Sequence, residues 1–304
     1  MMKGLIISES FQKTIEQTYG PIGREWLNNL PTLLLTLEKD WHLKIKEPFS
    51  NLSYNFVVSV ALAENNFAVL KCGLPGAEFN HEVLALRHFN GQGAVKLLKT
   101  NEELGVILLE QVFPGTLLSE IKNETETMRV FTEIIEQLHQ PATQSLSLPT
   151  VDDWYQGLTK IYKVSKSIVF PLKLADYVCG LGKELLVSMK EKVVLHGDLH
   201  QANILRSEDG WLAIDPKGVL GEREYELGAF IRNPIQELIK QRNIKECLSR
   251  RLELLAEMTG FDKKRLWAWF FYQAVLAAWW AFEDQNTDWQ AFITCAEALK
   301  KIKV

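Results

Sequence analysis

Two acidic residues and one amide fall close together in the segment 193–218. Asp198 and Asn203 are five residues apart in a loop that follows a short apolar run, and Asp215 ends a later apolar run. The Asp-Gly pair at 209–210 is typical of a hairpin turn, so the pattern predicts a strand, a loop and a β-hairpin with the three side chains at its mouth. Oxygen-bearing side chains in this order suit an enzyme that holds a divalent cation on a triphosphate and orients an attacking hydroxyl.

Each of the three side chains has a predicted role in phosphoryl transfer. Asp198 is the candidate catalytic residue, which accepts a hydrogen bond from the acceptor hydroxyl and takes its proton. Asn203 and Asp215 are candidate ligands of Mg²⁺, which usually takes one or two carboxylates together with phosphate oxygens. Turn formation or capping is the alternative for Asp and Asn in a loop. The order Asp-x4-Asn, followed by an Asp at a strand end, matches the catalytic loop and metal aspartate of protein kinases.

The segment 196–203, HGDLHQAN, resembles the HGDxxxxN motif of the aminoglycoside phosphotransferase family. The segment 214–218, IDPKG, is similar to the metal-binding segment of the streptomycin and hydroxyurea phosphotransferase branch, and the likeness continues through 225–234. The resemblance covers most of the chain from about residue 43 to residue 280. It implies an α+β, protein-kinase-like fold with two lobes and a kinase that acts on small molecules. It assigns no role to His200 or Lys217.

The N-terminal part of the chain has the pattern of a five-stranded antiparallel sheet with leading helices. Residues 10–37 have helical spacing, interrupted at Gly20 and near Pro31. Strands are predicted at 41–46, 56–61, 67–71, 94–98 and 106–110. The resemblance implies that residues 1–112 form the nucleotide-binding lobe.

Lys71 ends the third predicted strand, where a kinase-like lobe places the lysine that contacts the α- and β-phosphates. Such a lysine pairs with a glutamate of the next helix, and Glu78 and Glu82 are both candidates. The amphipathic run that follows Glu82 favours Glu82. An ordinary surface lysine at a strand end is the alternative for Lys71.

Two other segments are candidates for contacts with ATP. No glycine-rich GxGxxG loop occurs, and Ser50–Asn55 stands in its place, where backbone amides and a side chain such as Ser53 can donate to phosphates. The Pro-Gly pair at 114–115 indicates a hinge. The main chain just before it, from Glu110 to Val112, is the candidate reader of the adenine edge.

Residues 113–304 are predicted to form a mainly helical lobe that carries the catalytic loop, the metal site and the acceptor-binding helices. Helices are predicted at 118–140, around 158–162, and at 174–190, 226–241, 244–259, 263–283 and 289–301. The run 266–282 is apolar on nearly every side, but it contains Gln273 and is shorter than the roughly 20 residues of a membrane span. A helix buried in the protein is therefore favoured.

Acidic residues downstream of Asp215 predict a cationic acceptor. Glu226, Glu283 and Asp284 are the candidate acidic contacts, and Trp280 is a candidate cation–π wall. The alternatives are solvated helix faces for the acids and a core position for the tryptophan. With the resemblance, these residues predict transfer of the γ-phosphoryl group of ATP, with Mg²⁺, to a hydroxyl of a streptomycin-like aminoglycoside.

Two other functions stay open at this point. One is a kinase for another small hydroxylated metabolite, because the acceptor pocket is the most variable part of this family. The other is a nucleotide-binding regulator without turnover, although the joint presence of Lys71, Asp198, Asn203 and Asp215 argues against a degenerate site.

Composition limits the partners and the compartment. The formal charge of −4 and the pI near 6.0 argue against a nucleic-acid binder that works through a broad basic surface. The four cysteines form no CxxC pair, which is typical of free thiols in a reducing cytosol. The first ten residues contain too short an apolar run for a signal peptide. We expect a cytoplasmic monomer or weak dimer with neither a membrane nor a nucleic acid as partner.

Overall fold

A computed structural model describes residues 7–50, 52–63, 66–141, 146–163 and 170–304. The chain divides into two compact units, one of residues 1–91 and 95–113 and one of residues 92–94 and 114–304. The assignment of nucleotide binding to the first unit and acceptor binding to the second remains a prediction.

The first unit contains a five-stranded antiparallel sheet. Its strands are β1 (Lys44–Pro48), β2 (Phe56–Ala61), β3 (Phe67–Cys72), β4 (Leu97–Asn101) and β5 (Val106–Glu110), in the order β1-β2-β3-β5-β4. Helix α1 (Glu9–Asp40) is two helical segments joined at a kink at Gly20, and α2 (Ala77–Phe89) follows β3. The predicted sheet and the α+β class are confirmed.

The core of this unit lies between α1 and one face of the sheet. Alternate residues of β2, Phe56, Val58 and Val60, are completely buried, as a strand with one face on a core requires. They belong to the same cluster as Phe11 of α1, whose ring centroid lies 6.3 Å from that of Phe56. Because side chains alternate along a strand, Lys71 of β3 projects to the opposite face from its neighbours Leu70 and Cys72, which join this cluster.

The first predicted strand begins three residues later than expected. Helix α1 continues to Asp40, and the N–H of Trp41 caps it by donating to Leu37 O at 2.9 Å. His42 then has a φ of 54°, in the left-handed region, which reverses the chain before β1. The apolar alternation that predicted a strand from Trp41 therefore falls partly in this turn.

Two further predictions of the first unit need correction. The fourth strand starts at Leu97 and not at Ala94, because Ala94 belongs to the second unit and forms a parallel bridge with Ala213 within that unit. The predicted interruption near Pro31 is wrong, since Pro31 lies inside α1 and the only non-helical residue there is Gly20.

The second unit is mainly helical. Its helices are α3 (Glu124–Leu138), α4 (Val151–Thr159), α5 (Leu172–Val187), α6 (Arg223–Arg232), α7 (Ile235–Leu238), α8 (Ile244–Thr259), α9 (Lys263–Glu283) and α10 (Trp289–Lys300). Two small antiparallel sheets pair β6 (Val193–Leu195) with β9 (Val219–Gly221) and β7 (Ile204–Arg206) with β8 (Trp211–Ala213). Strand β9 had no counterpart among the predicted strands.

Helix α9 lies in the core of the second unit. It is buried almost continuously, and Trp269 and Trp279 are the largest side chains that it removes from water. Within the described ranges, no helix combines the length and the hydropathy that a membrane span needs. The apolar run at 266–282 is thus a buried helix, as predicted.

The helix predicted at 226–241 is divided in two. Helix α6 begins at Arg223 and ends at Arg232, and α7 starts after Pro234. Proline has no backbone N–H and its ring clashes with the preceding turn, so the helix stops before it. The end of α6 contacts the loop that contains Asp198, because Gln201 Nε2 donates to the carbonyl oxygen of Asn233 at 3.1 Å.

Candidate active site

His196 joins the loop after β6 to the segment after β8. Its Nε2 lies 2.8 Å from the carbonyl oxygen of Ile214, and its Nδ1 accepts the N–H of Asp198 at 3.3 Å. Its carbonyl oxygen accepts the N–H groups of Lys217 at 2.7 Å and Gly218 at 3.2 Å. The side chain is completely buried, so these contacts hold the loop from within.

Asn203 brings the loop and the hairpin together. Its Nδ2 donates to the carbonyl oxygen of Asp198 at 3.0 Å, and its own carbonyl accepts the N–H of Ile214 at 2.9 Å. Asp215 comes next, with a left-handed φ of 60°. The backbone of this one unit therefore brings Asp198, Asn203 and the residue before Asp215 within hydrogen-bond distance of each other.

The donor atoms of this cluster fit a hard cation. The Asn203 amide nitrogen is used by the loop, so its oxygen is the atom left for a cation, and Asp215 offers a carboxylate. Among the described residues no group of three or more His, Cys, Asp or Glu is placed to hold a metal. A cation here would take its other ligands from substrate and water, as Mg²⁺ commonly does. The roles of Asp198, Asn203 and Asp215 remain predictions.

Glu226 of α6 supports the loop from below. Its Oε2 accepts the N–H of His196 at 2.6 Å and its Oε1 accepts the N–H of Gly197 at 2.9 Å. His139 Nε2 lies 3.6 Å from Glu226 Oε2. Burial by itself would raise the pKa of Glu226, but His139, His196 and the Gly197 N–H outweigh burial and hold the pKa below its usual value.

The predicted role of Glu226 as an acceptor contact is wrong. Its side chain has no exposed surface, and both carboxylate oxygens accept backbone hydrogen bonds. A charge in that position is retained because its hydrogen bonds offset desolvation. Glu226 therefore anchors the loop that carries Asp198.

His200, which had no predicted role, lies beside Asp198. Its Nδ1 accepts the N–H of Ala202 at 3.2 Å, so a neutral ring carries its proton on Nε2, which lies 3.9 Å from Asp198 Oδ2. Burial lowers the pKa of His200, and the carboxylates of Asp198 and Asp215 oppose this shift. The neutral form is thus favoured near pH 7.

A buried arginine lies at the end of α6. Arg232 Nη1 donates to Gln273 Oε1 at 3.1 Å, and Gln273 Nε2 donates to the carbonyl oxygen of Tyr225. Burial lowers the pKa of Arg232, and the carboxylate of Asp198 opposes this shift. Its Nε has no hydrogen-bond partner among the described residues. The polar residue inside the apolar α9 is the sequence signal that could have revealed this group.

In the first unit, Lys71 and Glu82 form a buried ion pair. Lys71 Nζ lies 2.6 Å and 2.8 Å from the two carboxylate oxygens of Glu82, and the residues are 3% and 8% exposed. Strand β3 holds the lysine between Val57 of β2 and Ile107 of β5. Of the two glutamates considered, the structure thus places Glu82 against the lysine, while its role toward a nucleotide remains a prediction.

The other candidate ATP contacts lie elsewhere in the first unit. Ser53 is exposed between β1 and β2, and the neighbouring Asn51 lies outside the described residues. The N–H of Glu110 donates to Lys96 O at 3.0 Å, and its side chain accepts the Lys96 N–H at 2.6 Å. The N–H of Glu110 is thus already used by Lys96, and the contact of this main chain with an adenine ring remains a prediction. Val112 follows β5 and is half-buried.

The remaining acceptor candidates lie at the end of α9. Trp280 is half-buried and meets Trp154 of α4 edge to face, whereas Glu283 and Asp284 are exposed. Burial raises the pKa of Glu283, Lys160 opposes this shift, and Asp284 adds to it. Trp154 was not among the predicted site residues, because a single tryptophan in a helix gives no signal of its contacts.

Residues 40–285 match the family of aminoglycoside/hydroxyurea antibiotic resistance kinases. The chain belongs to this family. The match covers well over half of the sequence and includes every candidate site residue. It confirms the predicted family and the prediction of a phosphotransferase that acts on hydroxyl groups.

Individual relatives agree with this membership. The chain is 27% identical over 300 residues to a streptomycin 6-kinase of Streptomyces glaucescens, covering 97% of each chain. It is 27% identical over 280 residues to a hydroxyurea phosphotransferase of Kitasatospora aureofaciens, covering 87% of this chain and 77% of the relative. The fold is similar to that of a choline kinase from Streptococcus pneumoniae, with a TM-score of 0.66 and 14% identity over 90% of this chain and all of that one.

Proposed function

We propose that this chain transfers the γ-phosphoryl group of ATP to a hydroxyl group of a cationic amino sugar of the streptomycin type. The observation that carries the proposal is the joining of Asp198, Asn203 and the Asp215 segment by hydrogen bonds within one unit. Membership in a kinase family and the similarity to a streptomycin 6-kinase support the same chemistry.

In this proposal Asp198 accepts the hydrogen bond of the acceptor hydroxyl and takes its proton as the oxygen attacks phosphorus. Asn203 and Asp215 would hold Mg²⁺, which when bound neutralises charge on the phosphate oxygens. Lys71, positioned by Glu82, contacts the triphosphate, and Ser53 and the main chain from Glu110 to Val112 complete the nucleotide contacts. The first unit thus binds the nucleotide and the second binds the acceptor.

The cellular setting is part of the proposal. Cys72, Cys179, Cys247 and Cys295 are free thiols, which is compatible with a reducing cytoplasm. We expect the chain to work there as a monomer or weak dimer on two small-molecule substrates.

The test is coupled ADP release by purified protein with ATP and Mg²⁺. The acceptor panel contains streptomycin, a neutral polyol and hydroxyurea, and phosphorus NMR identifies the phosphorylated product. We expect ADP release that depends on streptomycin and is lost in Asp198→Asn. Turnover only with hydroxyurea or the polyol would move the chain to another acceptor class. Absence of acceptor-dependent ADP release across the panel would overturn the kinase proposal and favour a regulator.

A further inference from the structure

Trp154 and Trp280 form a right-angled pair of indoles, which we call the aromatic corner. Their ring centroids lie 5.4 Å apart and the ring planes meet at 88°. Trp154 comes from α4 and Trp280 from the end of α9, and both are half-buried. Buried Tyr225 lies behind Trp154, with centroids 6.0 Å apart. The pair thus retains partial access to solvent while it is fixed from behind.

The aromatic corner borders the catalytic loop. A Cβ atom built on Gly197 would lie 2.9 Å from Trp154 Cη2, so the indole packs directly on the backbone of this glycine. Gly197 immediately precedes Asp198, and consecutive Cα atoms are about 3.8 Å apart. Trp154 thus lies beside the residue that precedes the candidate catalytic residue.

Charged side chains of both signs lie around the corner, and its indole faces favour a cation. Glu283 and Asp284 follow Trp280 by three and four residues, a spacing that puts helical residues on one side, and both are exposed. Lys160 lies close enough to Glu283 to oppose the rise in its pKa, and the Cβ of Lys217 lies 3.3 Å from a Cβ atom built on Gly197, so cations as well as carboxylates lie around the corner. Indole faces attract ammonium and guanidinium groups, most strongly where water is partly excluded.

We infer that the aromatic corner binds an ammonium or guanidinium group of the acceptor, carried on the same ring as the hydroxyl that Asp198 orients. The inference rests on the proposed function and deepens it. It makes Trp154 and Trp280 specificity-determining residues. It also predicts that an acceptor whose nearest cationic group is on a distant ring is a poor substrate. If the pair served only to pack α4 against α9, the charge of the acceptor would not matter.

The experiment compares Trp154→Leu, Trp154→Phe, Trp280→Leu and Trp280→Phe with the parent protein. Trp211→Leu is the matched control, because Trp211 is a half-buried tryptophan of β8 that contacts Arg206 and not the corner. One acceptor is an aminocyclitol with its ammonium next to a hydroxyl, and the other is the neutral cyclitol. Streptomycin affinity is measured separately by calorimetry, and thermal melting together with ATP affinity checks that each variant is folded.

We expect the leucine variants to raise the KM for the aminocyclitol and the Kd for streptomycin by about 10- to 30-fold, the range of a partly desolvated cation–π contact. The phenylalanine variants should lose less, and the control, the KM for the neutral cyclitol and the ATP affinity should stay within twofold. Equal losses for charged and neutral acceptors, or no loss, would overturn the inference.

The binding measurement separates the two proposals. Streptomycin that binds and depends on Trp154 and Trp280, but is not phosphorylated, would refute the proposed transfer and leave the aromatic corner standing. Streptomycin that is phosphorylated equally well by the leucine variants would refute the corner and leave the transfer standing. Absence of binding and turnover in the parent protein would refute both.

Discussion

Replacing Glu226 with glutamine removes the charge that holds the catalytic loop. The carboxylate accepts the N–H groups of His196 at 2.6 Å and Gly197 at 2.9 Å, and no part of its side chain is exposed. The glutamine side chain has a similar size, but it has only one acceptor oxygen and turns an NH₂ group toward the second donor. The substitution therefore tests the hydrogen bonds and the charge without opening a cavity.

The expected loss can be worked from these two contacts. A hydrogen bond to a charged group contributes about 1.5–3 kcal/mol. Glutamine keeps one weaker hydrogen bond through its oxygen. Its NH₂ group faces the other backbone N–H, so that two donors meet without an acceptor. We therefore expect the free energy of unfolding to fall by about 2–4 kcal/mol. This corresponds to a decrease in Tm of about 5–10 °C. Because a small misplacement of Asp198 affects the chemical step strongly, kcat should fall by about 10- to 100-fold.

The pH dependence supplies an independent readout. The pKa of Glu226 is lower in the folded protein than its usual value of 4.5. The ionised carboxylate therefore stabilises the fold at pH values above the unfolded pKa, and this contribution is lost as the pH falls through the lower folded pKa. The parent protein should lose stability below about pH 4.5 more steeply than Glu226→Gln does.

Glu224 provides the matched control on the same helix. It is half-buried, and burial raises its pKa; its own backbone hydrogen bond opposes this shift, and the charge of Glu222 adds to it. A raised carboxyl pKa means that ionisation above the unfolded pKa works against the fold. Glu224→Gln should thus leave the Tm at pH 7 unchanged or slightly higher, with normal kcat. The anchoring role of Glu226 is refuted if calorimetry and coupled ADP release give the same result for both variants.

Three further predictions test other parts of the site. Asp198→Asn should lower kcat by about 10²- to 10⁴-fold while ATP affinity measured by calorimetry changes less than twofold; retained turnover would exclude it as the base. Lys71→Met should lower the unfolding free energy by about 3–5 kcal/mol in urea titrations, and the double change with Glu82→Leu should recover much of this loss. Failure of the double variant to recover would mean that the pair is not the main interaction. Gly197→Ala should cost about 2–4 kcal/mol, because φ is +86° and its Cβ would press on Trp154; an unchanged Tm would contradict this packing.

Part of this fold is determined by contacts between residues that are close together in the sequence. Helix α8 follows Asn243, whose side chain accepts the N–H of Glu246, and α9 follows Asp262, whose side chain accepts the N–H of Arg265. Such caps lie within one turn of the residues that they serve, so they can be read from the sequence, and both helices have the predicted bounds. The catalytic loop and hairpin were predictable for the same reason, since their residues are contiguous.

Other features depend on residues that meet only in the folded chain. Glu226 is 30 residues from His196, and an acidic residue in an amphipathic segment gives no sign of whether it faces water or a buried backbone. Trp154 is even further from Gly197 in sequence. Strands β1 and β4 both start later than the sequence pattern predicted. A helix cap takes the first predicted residues of β1, and a bridge to Ala213 takes the first predicted residue of β4.

Sequence alone thus determined the family, the α+β class and the candidate chemical groups, because motif spacing and hydrophobic periodicity are local properties of the chain. Tertiary structure alone decided that Glu226 supports the loop, that Glu82 and not Glu78 lies against Lys71, and that Trp154 reaches the residue before Asp198. The physical reason is that burial and hydrogen-bond pairing arise from packing between distant segments, and they change the charge state and the access of a side chain without changing its spacing.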